Sequence, residues 1–171
     1  SRTTRRKPVK MSPDNSAAGE GFFCGVLRQK TREKVKEMKA RQNILLVDND
    51  REFRKSMKKK FKHAGYAVSC ANDCRKAMDV LSKDTFDLVV SEVKTPKLTG
   101  IQLMSEINKK RIEVPVVFLT AHGEVDSYLE LMNQGAFEYL DKAFDKGRVL
   151  NVIEKALNSA RTRSVWNSQS G

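Results

Sequence analysis

Four polar residues, each at the end of a short apolar run, have side chains that could do chemistry together. They are Asp48, Glu92, Thr120 and Lys142. Carboxylates suit a hard cation such as Mg²⁺, which prefers oxygen ligands, while a hydroxyl and an ammonium group can contact phosphoryl oxygens. If these four side chains meet, they form a site for a metal ion and a phosphoryl-like group.

The runs that precede these residues have the character of buried strands. Several are apolar throughout rather than alternating, which is typical of strands covered on both faces. The sequence predicts five strands, at residues 44–47, 66–69, 88–90, 114–119 and 136–140.

The segments between the strands predict five helices, because their apolar residues recur at spacings of three and four. Phe53, Met57 and Phe61 mark the core face of the first helix, and Val125, Leu129 and Met132 mark that of the fourth. We expect all of these residues to pack in the core. The residues predicted to cap helices are Asp50, Asp73 and Asp145.

Five β–α units in about 115 residues predict an α/β fold with a doubly wound, five-stranded parallel sheet. The strand order of this flavodoxin-like form is 2-1-3-4-5, and ligands bind outside the carboxyl ends of the strands where the order reverses. This order brings Asp48 and Glu92 from neighbouring strands to the reversal point, with Thr120 and Lys142 beside them.

A resemblance to a known family rests on the order and spacing of four segments. They are ILLVD at 44–48, DLVVSEVKTP at 87–96 with Gly100 beyond, VVFLTA at 116–121 and GAFEYLDKAF at 135–144. Residues 43–160 resemble the receiver domain of bacterial two-component response regulators, which has the chemotaxis-regulator-like fold.

The resemblance implies a role in a phosphorelay. In that family a histidine kinase passes a phosphoryl group to an aspartate at the end of the third strand, with Mg²⁺ bound nearby. It implies metal contact for Asp48, Asn49, Glu92 and the carbonyl of Lys94, and phosphoryl contact or switching for Thr120, Tyr139 and Lys142.

Three positions depart from the family pattern. Glu92 stands where the phosphoacceptor aspartate belongs, Asn49 where the second acid belongs, and Ala143 where a proline is usual. The extra methylene of Glu92 moves the carboxylate by roughly 1.5 Å, and a misplacement of about 1 Å can cost on the order of 100-fold in rate. Asn49 removes a ligand charge. We therefore predict weak Mg²⁺ binding and slow or absent phosphorylation.

The resulting hypothesis is a pseudo-receiver, a signalling module rather than an enzyme, in which a permanent Glu92–Lys142 contact favours one signalling state. Its partners would be a histidine kinase or a downstream signalling protein, and a homodimer through the fourth helix, fifth strand and fifth helix is a further option. Three alternatives stay open: a degenerate receiver kept only for docking, a phosphorylatable Mg²⁺-dependent regulator, and a nucleic-acid accessory protein that uses its basic extension.

Positive charge is concentrated before the predicted domain. The chain has a net charge of +12, and residues 1–42 hold 12 Lys/Arg against 4 Asp/Glu. We predict a basic, partly disordered extension over residues 1–42 with a helix at 26–41, the receiver-like domain over 43–160, and a linker or tail over 161–171. The extension could bind nucleic acid, with a solvated tail as the alternative.

Compartment is predicted from three cysteines and from hydropathy. Cys24, Cys70 and Cys74 cannot all pair within one chain, which favours reduced thiols in a cytoplasmic protein. No apolar run approaches the roughly 18 residues that a transmembrane helix needs.

Overall fold

The computed structural model describes residues 27–34, 42–121, 125–143 and 146–169. Five strands alternate with five helices in the α/β domain. The strands are β1 (Asn43–Val47), β2 (Ala67–Ala71), β3 (Leu88–Ser91), β4 (Val116–Thr120) and β5 (Glu138–Asp141). The helices are α1 (Arg51–His63), α2 (Cys74–Leu81), α3 (Gly100–Lys109), α4 (Val125–Asn133) and α5 (Lys146–Gln169).

All strand pairs are parallel, and the sheet order is β2-β1-β3-β4-β5. The predicted doubly wound sheet and its strand order are therefore confirmed. The chain reverses direction between β1 and β3, so the carboxyl ends of these two neighbouring strands flank the crevice where such folds bind ligands.

Two apolar clusters cover the two faces of this sheet. Successive residues of β1 alternate between them: Ile44 and Leu46 pack with α1 and α5, whereas Leu45 and Val47 pack with α2, α3 and α4. This alternation follows from the two-residue period of a strand. Both faces of the central strands are buried, which explains why β1, β3 and β4 consist mostly of apolar residues.

Side-chain caps fix where the helices begin at the carboxyl edge. Asp50 accepts hydrogen bonds from the main-chain N–H groups of Glu52 and Phe53, and Asp73 accepts one from that of Lys76. These two predicted caps are confirmed, and Asp145 lies outside the described residues.

Gly100 allows α3 to begin against the sheet. A Cβ atom at this position would lie 2.6 Å from the Phe118 ring and 3.0 Å from the Val93 Cα. Only glycine fits this approach, and it places the loop after β3 close to β4.

The predicted core face of α4 is wrong at Val125 and Leu129 and confirmed at Met132, which packs against the core cluster. Val125 is 73% exposed and Leu129 is 53% exposed, whereas Leu131 is fully buried. Two apolar stripes compete on this helix, and residues 129 and 131 lie about 200° apart around it. The sheet buries the stripe of Leu131, so Val125 and Leu129 face solvent.

The ends of the chain differ in part from the prediction. Residues 27–34 form an exposed helix, here called the leader helix, in a unit separate from the α/β domain; the rest of the predicted 26–41 helix lies outside the described residues. Residues 161–169 continue α5 instead of forming a linker or tail, because they contain neither glycine nor proline to end it. The boundaries of 43–160 otherwise stay a prediction.

No helix in the described ranges combines the length and the apolar character needed to cross a bilayer.

Candidate functional site

Four strands deliver the predicted polar residues to one edge of the sheet. Asp48 follows β1, Glu92 follows β3, Thr120 ends β4 and Lys142 follows β5. Asp48 and Thr120 are each 1% exposed and Glu92 is 5% exposed, so the site is nearly closed to water. The structure brings these four side chains together in a single cluster.

Lys142 lies at the centre of the cluster. Its ammonium Nζ is 2.6 Å from Asp48 Oδ2 and 2.8 Å from Glu92 Oε2. The Phe53 ring lies on another side, with its centroid 4.2 Å from Nζ, within range for a cation–π contact. The ammonium group thus has two carboxylates and an aromatic ring as partners, and the three charged groups sum to −1.

The Glu92 carboxylate accepts hydrogen bonds at both oxygens. Main-chain N–H groups of Val93 and Lys94 donate to Oε1 at 2.7 and 3.3 Å. Oε2 accepts from the Ala121 N–H at 3.4 Å besides contacting Lys142, and the Thr120 hydroxyl also donates to this carboxylate. Five donors from three strand ends therefore surround one carboxylate.

Asp48 is fixed by the turn into α1. The main-chain N–H of Asp50 donates to Asp48 Oδ1 at 2.8 Å, and the guanidinium group of Arg54 donates to the Asp48 carbonyl. The other oxygen, Oδ2, contacts Lys142. Both carboxylate oxygens of Asp48 are therefore engaged within the protein.

The charge states follow from burial and these contacts. Burial raises the pKa of Asp48, and the contact with Lys142 offsets this only in part. Burial also opposes ionisation of Glu92, but hydrogen bonds from Lys142 and Thr120 outweigh it and hold the pKa below its ordinary value. For Lys142, burial is outweighed by the bonds to Asp48 and Glu92, which raise the pKa. Glu92 and Lys142 are thus an ionised pair at neutral pH.

Three other predicted site residues border this cluster of contacts. Asn49 and Lys94 are exposed beside the site, and Lys94 takes part through its main-chain N–H. Tyr139 is half-buried on β5 and packs edge-to-face against Tyr128 of α4, with ring centroids 5.6 Å apart. Tyr139 therefore belongs to the surface next to the cluster, and its switching role stays a prediction.

Phe53 and Arg54 were missed as site residues by sequence reasoning. The sequence pattern predicts only a core position for Phe53, yet its ring lies over Lys142, and Arg54 binds the carbonyl of Asp48. Both belong to the first turn of the helix that follows β1. Their position directly after Asp48-Asn49-Asp50 is the signal that places them at the same edge.

Comparisons with known proteins agree with this fold. The family model of the response regulator receiver domain matches residues 44–154. Transcriptional regulatory protein FixJ of Bradyrhizobium diazoefficiens is 32% identical over 123 residues, covering 72% of this chain and 60% of FixJ. GlrR of Escherichia coli is 33% identical over 118 residues, covering 69% of this chain and 27% of GlrR.

Solved structures show the same relationship. A receiver domain protein from Clostridium thermocellum superimposes with a TM-score of 0.67 at 28% identity, covering 71% of this chain and 98% of that one. Full-length FixJ from B. japonicum gives a TM-score of 0.68 at 31% identity, covering 72% and 61% of the two chains.

The parallel α/β sheet with strand order 2-1-3-4-5 is the fold of the receiver signalling modules to which this chain is similar. The chain belongs to the response regulator receiver domain family. Receiver domains are parts of two-component systems, interact with histidine kinases and downstream effectors, and act as signalling modules rather than classical enzymes. This chain spans only about a quarter to three fifths of the curated relatives named above.

The site residues do not fit a tight Mg²⁺ site, although receiver domains in general bind Mg²⁺ at this edge. Both carboxylates already contact Lys142, and Asn49 brings no charge. Within the part of the chain that the structure describes, no three His, Cys, Asp or Glu side chains are grouped as metal ligands.

Proposed function

We propose that this chain is a pseudo-receiver, in which Glu92 replaces the phosphoacceptor aspartate and signals through protein–protein contacts. The observation that supports it best is the environment of the Glu92 carboxylate. Lys142, Thr120 and the Ala121 N–H all donate to it. These are the donor types that a phosphoryl group would take, and here the protein supplies the anion itself.

The imitation of a phosphoryl group is partial. A carboxylate brings one charge and two oxygens, whereas a phosphoryl group brings about −1.5 to −2 and three oxygens. The two oxygens nevertheless contact donors after β3, β4 and β5. A permanent link between these strand ends favours one arrangement of the loops.

The same contacts argue against efficient phosphorylation. Both Glu92 oxygens are occupied by donors, and Lys142 would have to release one of them before attack on a phosphodonor. After β1, Asp48 is an acid, but residue 49 is asparagine and the Asp50 carboxylate caps α1. Mg²⁺ affinity tracks ligand charge, so we propose that Mg²⁺ binds weakly.

The output surface proposed here is the α4–β5–α5 face. Tyr139 packs on Tyr128 of α4, and Leu129 and Val125 of the same helix are exposed. A histidine kinase, a downstream protein or a second copy of the chain could occupy this face. Glu92 lies one strand away from it, linked through Lys142 after β5 and Thr120 at the end of β4.

The direct test is phosphorylation by a small phosphodonor with Mg²⁺, followed by intact mass. We expect no adduct on the natural chain and an adduct of about 80 Da on the double variant Asn49→Asp/Glu92→Asp, which restores both acids. The single variant Asn49→Asp is the matched control and should stay unmodified. An adduct on Glu92 of the natural chain would overturn the proposal.

A second experiment separates a locked receiver from a fold kept only for docking. Glu92→Gln keeps the side-chain size but removes the charge. In a locked receiver, the NMR signals of the Tyr128 and Tyr139 rings should move, because the link to Lys142 is weakened. Unchanged ring signals and unchanged partner binding would contradict the locked receiver and favour a receiver fold kept only for docking.

A further inference from the structure

The two helical layers of the α/β domain differ strongly in charge. Among the described side chains, α1 and α5, which share one core cluster, carry ten Lys/Arg against two Asp/Glu. On the other face of the sheet, α2, α3 and α4 carry three Lys/Arg against four Asp/Glu. One face of the folded domain is therefore strongly basic, independently of the extension at residues 1–42.

Most of this charge lies on α1. Its 13 residues include seven Lys/Arg, and Glu52 is the one acid of the helix. Four of the basic residues follow a spacing of four, four and three, which places them along one side: Arg51, Lys55, Lys59 and Lys62. All four are exposed, and together they are called the α1 basic stripe.

The opposite side of α1 holds the helix on the sheet. Met57 is 2% exposed and Phe61 is fully buried. The stripe thus stands on a fixed support, and its charges are presented along a helix of roughly 20 Å. Glu52 forms an ion pair with Lys55 at 3.2 Å, which leaves a large excess of positive charge along the helix.

We propose that the α1 basic stripe binds the phosphate backbone of double-stranded DNA without sequence preference. Regularly spaced Lys and Arg side chains neutralise phosphates and release counterions, which is the main source of such binding. This site lies on the folded domain itself, and the proposed signalling function does not use it.

Two other partners fit the stripe less well. Protein interfaces are depleted in lysine and enriched in exposed aromatic residues, whereas the stripe is three-quarters lysine and carries no aromatic residue. Helices that lie on membranes insert an apolar face into the lipid, but the apolar face of α1 is packed against the sheet. A regular polyanion can pair with the four cationic side chains of the stripe without any apolar contact.

The test compares two triple variants of the full chain with equal changes in net charge. Lys55→Glu/Lys59→Glu/Lys62→Glu changes the stripe, and Arg75→Glu/Lys76→Glu/Lys83→Glu changes exposed residues on and after α2, on the other face. Binding to a fluorescent mixed-sequence duplex of about 20 base pairs is measured by anisotropy between about 50 and 200 mM salt.

We expect the stripe variant to lose at least about tenfold in affinity at the lowest salt and about 2–3 units of the log–log salt slope. The control variant should lose less than about threefold. Equal losses in both variants would assign binding to overall charge or to the extension, and overturn the proposal. So would unchanged duplex binding by the stripe variant, including the case where it loses binding only to vesicles of phosphatidylserine and phosphatidylcholine.

Two further measurements keep the result interpretable. Lys55→Gln/Lys59→Gln/Lys62→Gln removes the charges without introducing repulsion near the helix end, and should give a smaller loss in the same direction while circular dichroism stays native. Glu92→Gln should bind the duplex as the natural chain does. A loss of duplex binding in Glu92→Gln would mean that the signalling state controls the stripe, and that the stripe is not an independent site.

Discussion

Lys142 holds two buried carboxylates together, so its removal has a cost that an exposed lysine does not share. We expect Lys142→Met to destabilise the domain by about 3–5 kcal/mol, because Asp48 and Glu92 are left close together without their cation. Unfolding in urea measures this cost. Part of it should disappear at acidic pH, where the two carboxylates take up protons.

The matched control is Lys109→Met. Lys109 pairs with Glu106 at 3.0 Å but is 69% exposed, and an exposed pair contributes at most about 1 kcal/mol. Equal losses of stability in Lys142→Met and Lys109→Met would show that the buried cluster is not held by its ammonium group.

Glu92 should give a pH dependence of defined sign. Its folded pKa lies below the ordinary value of 4.5, so its charge stabilises the fold above about pH 4.5, and this contribution is lost as pH falls through the folded pKa. At neutral pH we expect Glu92→Gln to lose about 1.5–3 kcal/mol, the range for a hydrogen bond to a charged group.

The measurement is urea unfolding of the natural chain and of Glu92→Gln across acidic and neutral pH. The difference in unfolding free energy should stay level near neutrality and shrink as the solution becomes more acidic than pH 4.5. A difference that does not change with pH would mean that the Glu92 charge is not used in the folded state.

At the scale of elements, α4 provides a comparison within one helix. Leu131 is fully buried and Leu129 is 53% exposed. Leu131→Ala should cost about 2–5 kcal/mol because it leaves a cavity in the core, whereas Leu129→Ala should stay within about 0.5 kcal/mol. Thermal or urea unfolding measures both, and the change in helix propensity is the same in each. Comparable costs would restore the core face first predicted for α4.

The strands and the four clustered side chains could be predicted from sequence because each depends on local signals. A β-branched apolar run marks a strand, the parallel order fixes which edge its end reaches, and Asp48, Glu92 and Lys142 each follow such a run. The ends of neighbouring parallel strands lie so close together that these side chains could be expected to meet without knowing the direction of each one.

The core face of α4 and the role of Phe53 could not be predicted in this way. Both depend on how a helix is rotated against the sheet, and Val125, Leu129 and Leu131 are equally apolar. The helical spacing of Phe53 predicts only a core position. The contact of its ring with Lys142 depends on where Lys142 lies in the folded domain. The continuation of α5 beyond residue 160 could not be predicted either, because residues 161–169 show no strong apolar periodicity.

At the scale of the whole molecule, the net charge of +12 and the seven Lys/Arg residues of α1 predict an unusual response to salt. Along α1, Arg51 and Lys55, Lys55 and Lys59, and Lys58 and Lys62 are like-charged pairs four residues apart. Each such pair destabilises a helix by about 0.2–0.5 kcal/mol. Added salt shortens the Debye length from about 30 Å at 0.01 M to about 8 Å at 0.15 M and screens this repulsion.

We therefore expect the free energy of unfolding in urea to rise by about 0.5–1 kcal/mol over that range of sodium chloride. The buried Lys142 contacts should contribute little to the change, because they are shielded from solvent ions. Lys59→Gln, which breaks a repulsive pair, should reduce the salt effect, and Lys76→Gln on α2 should leave it as it is. Stability that falls with added salt would mean that attractive surface pairs outweigh the repulsion along α1, and the basic face would then not be under electrostatic strain.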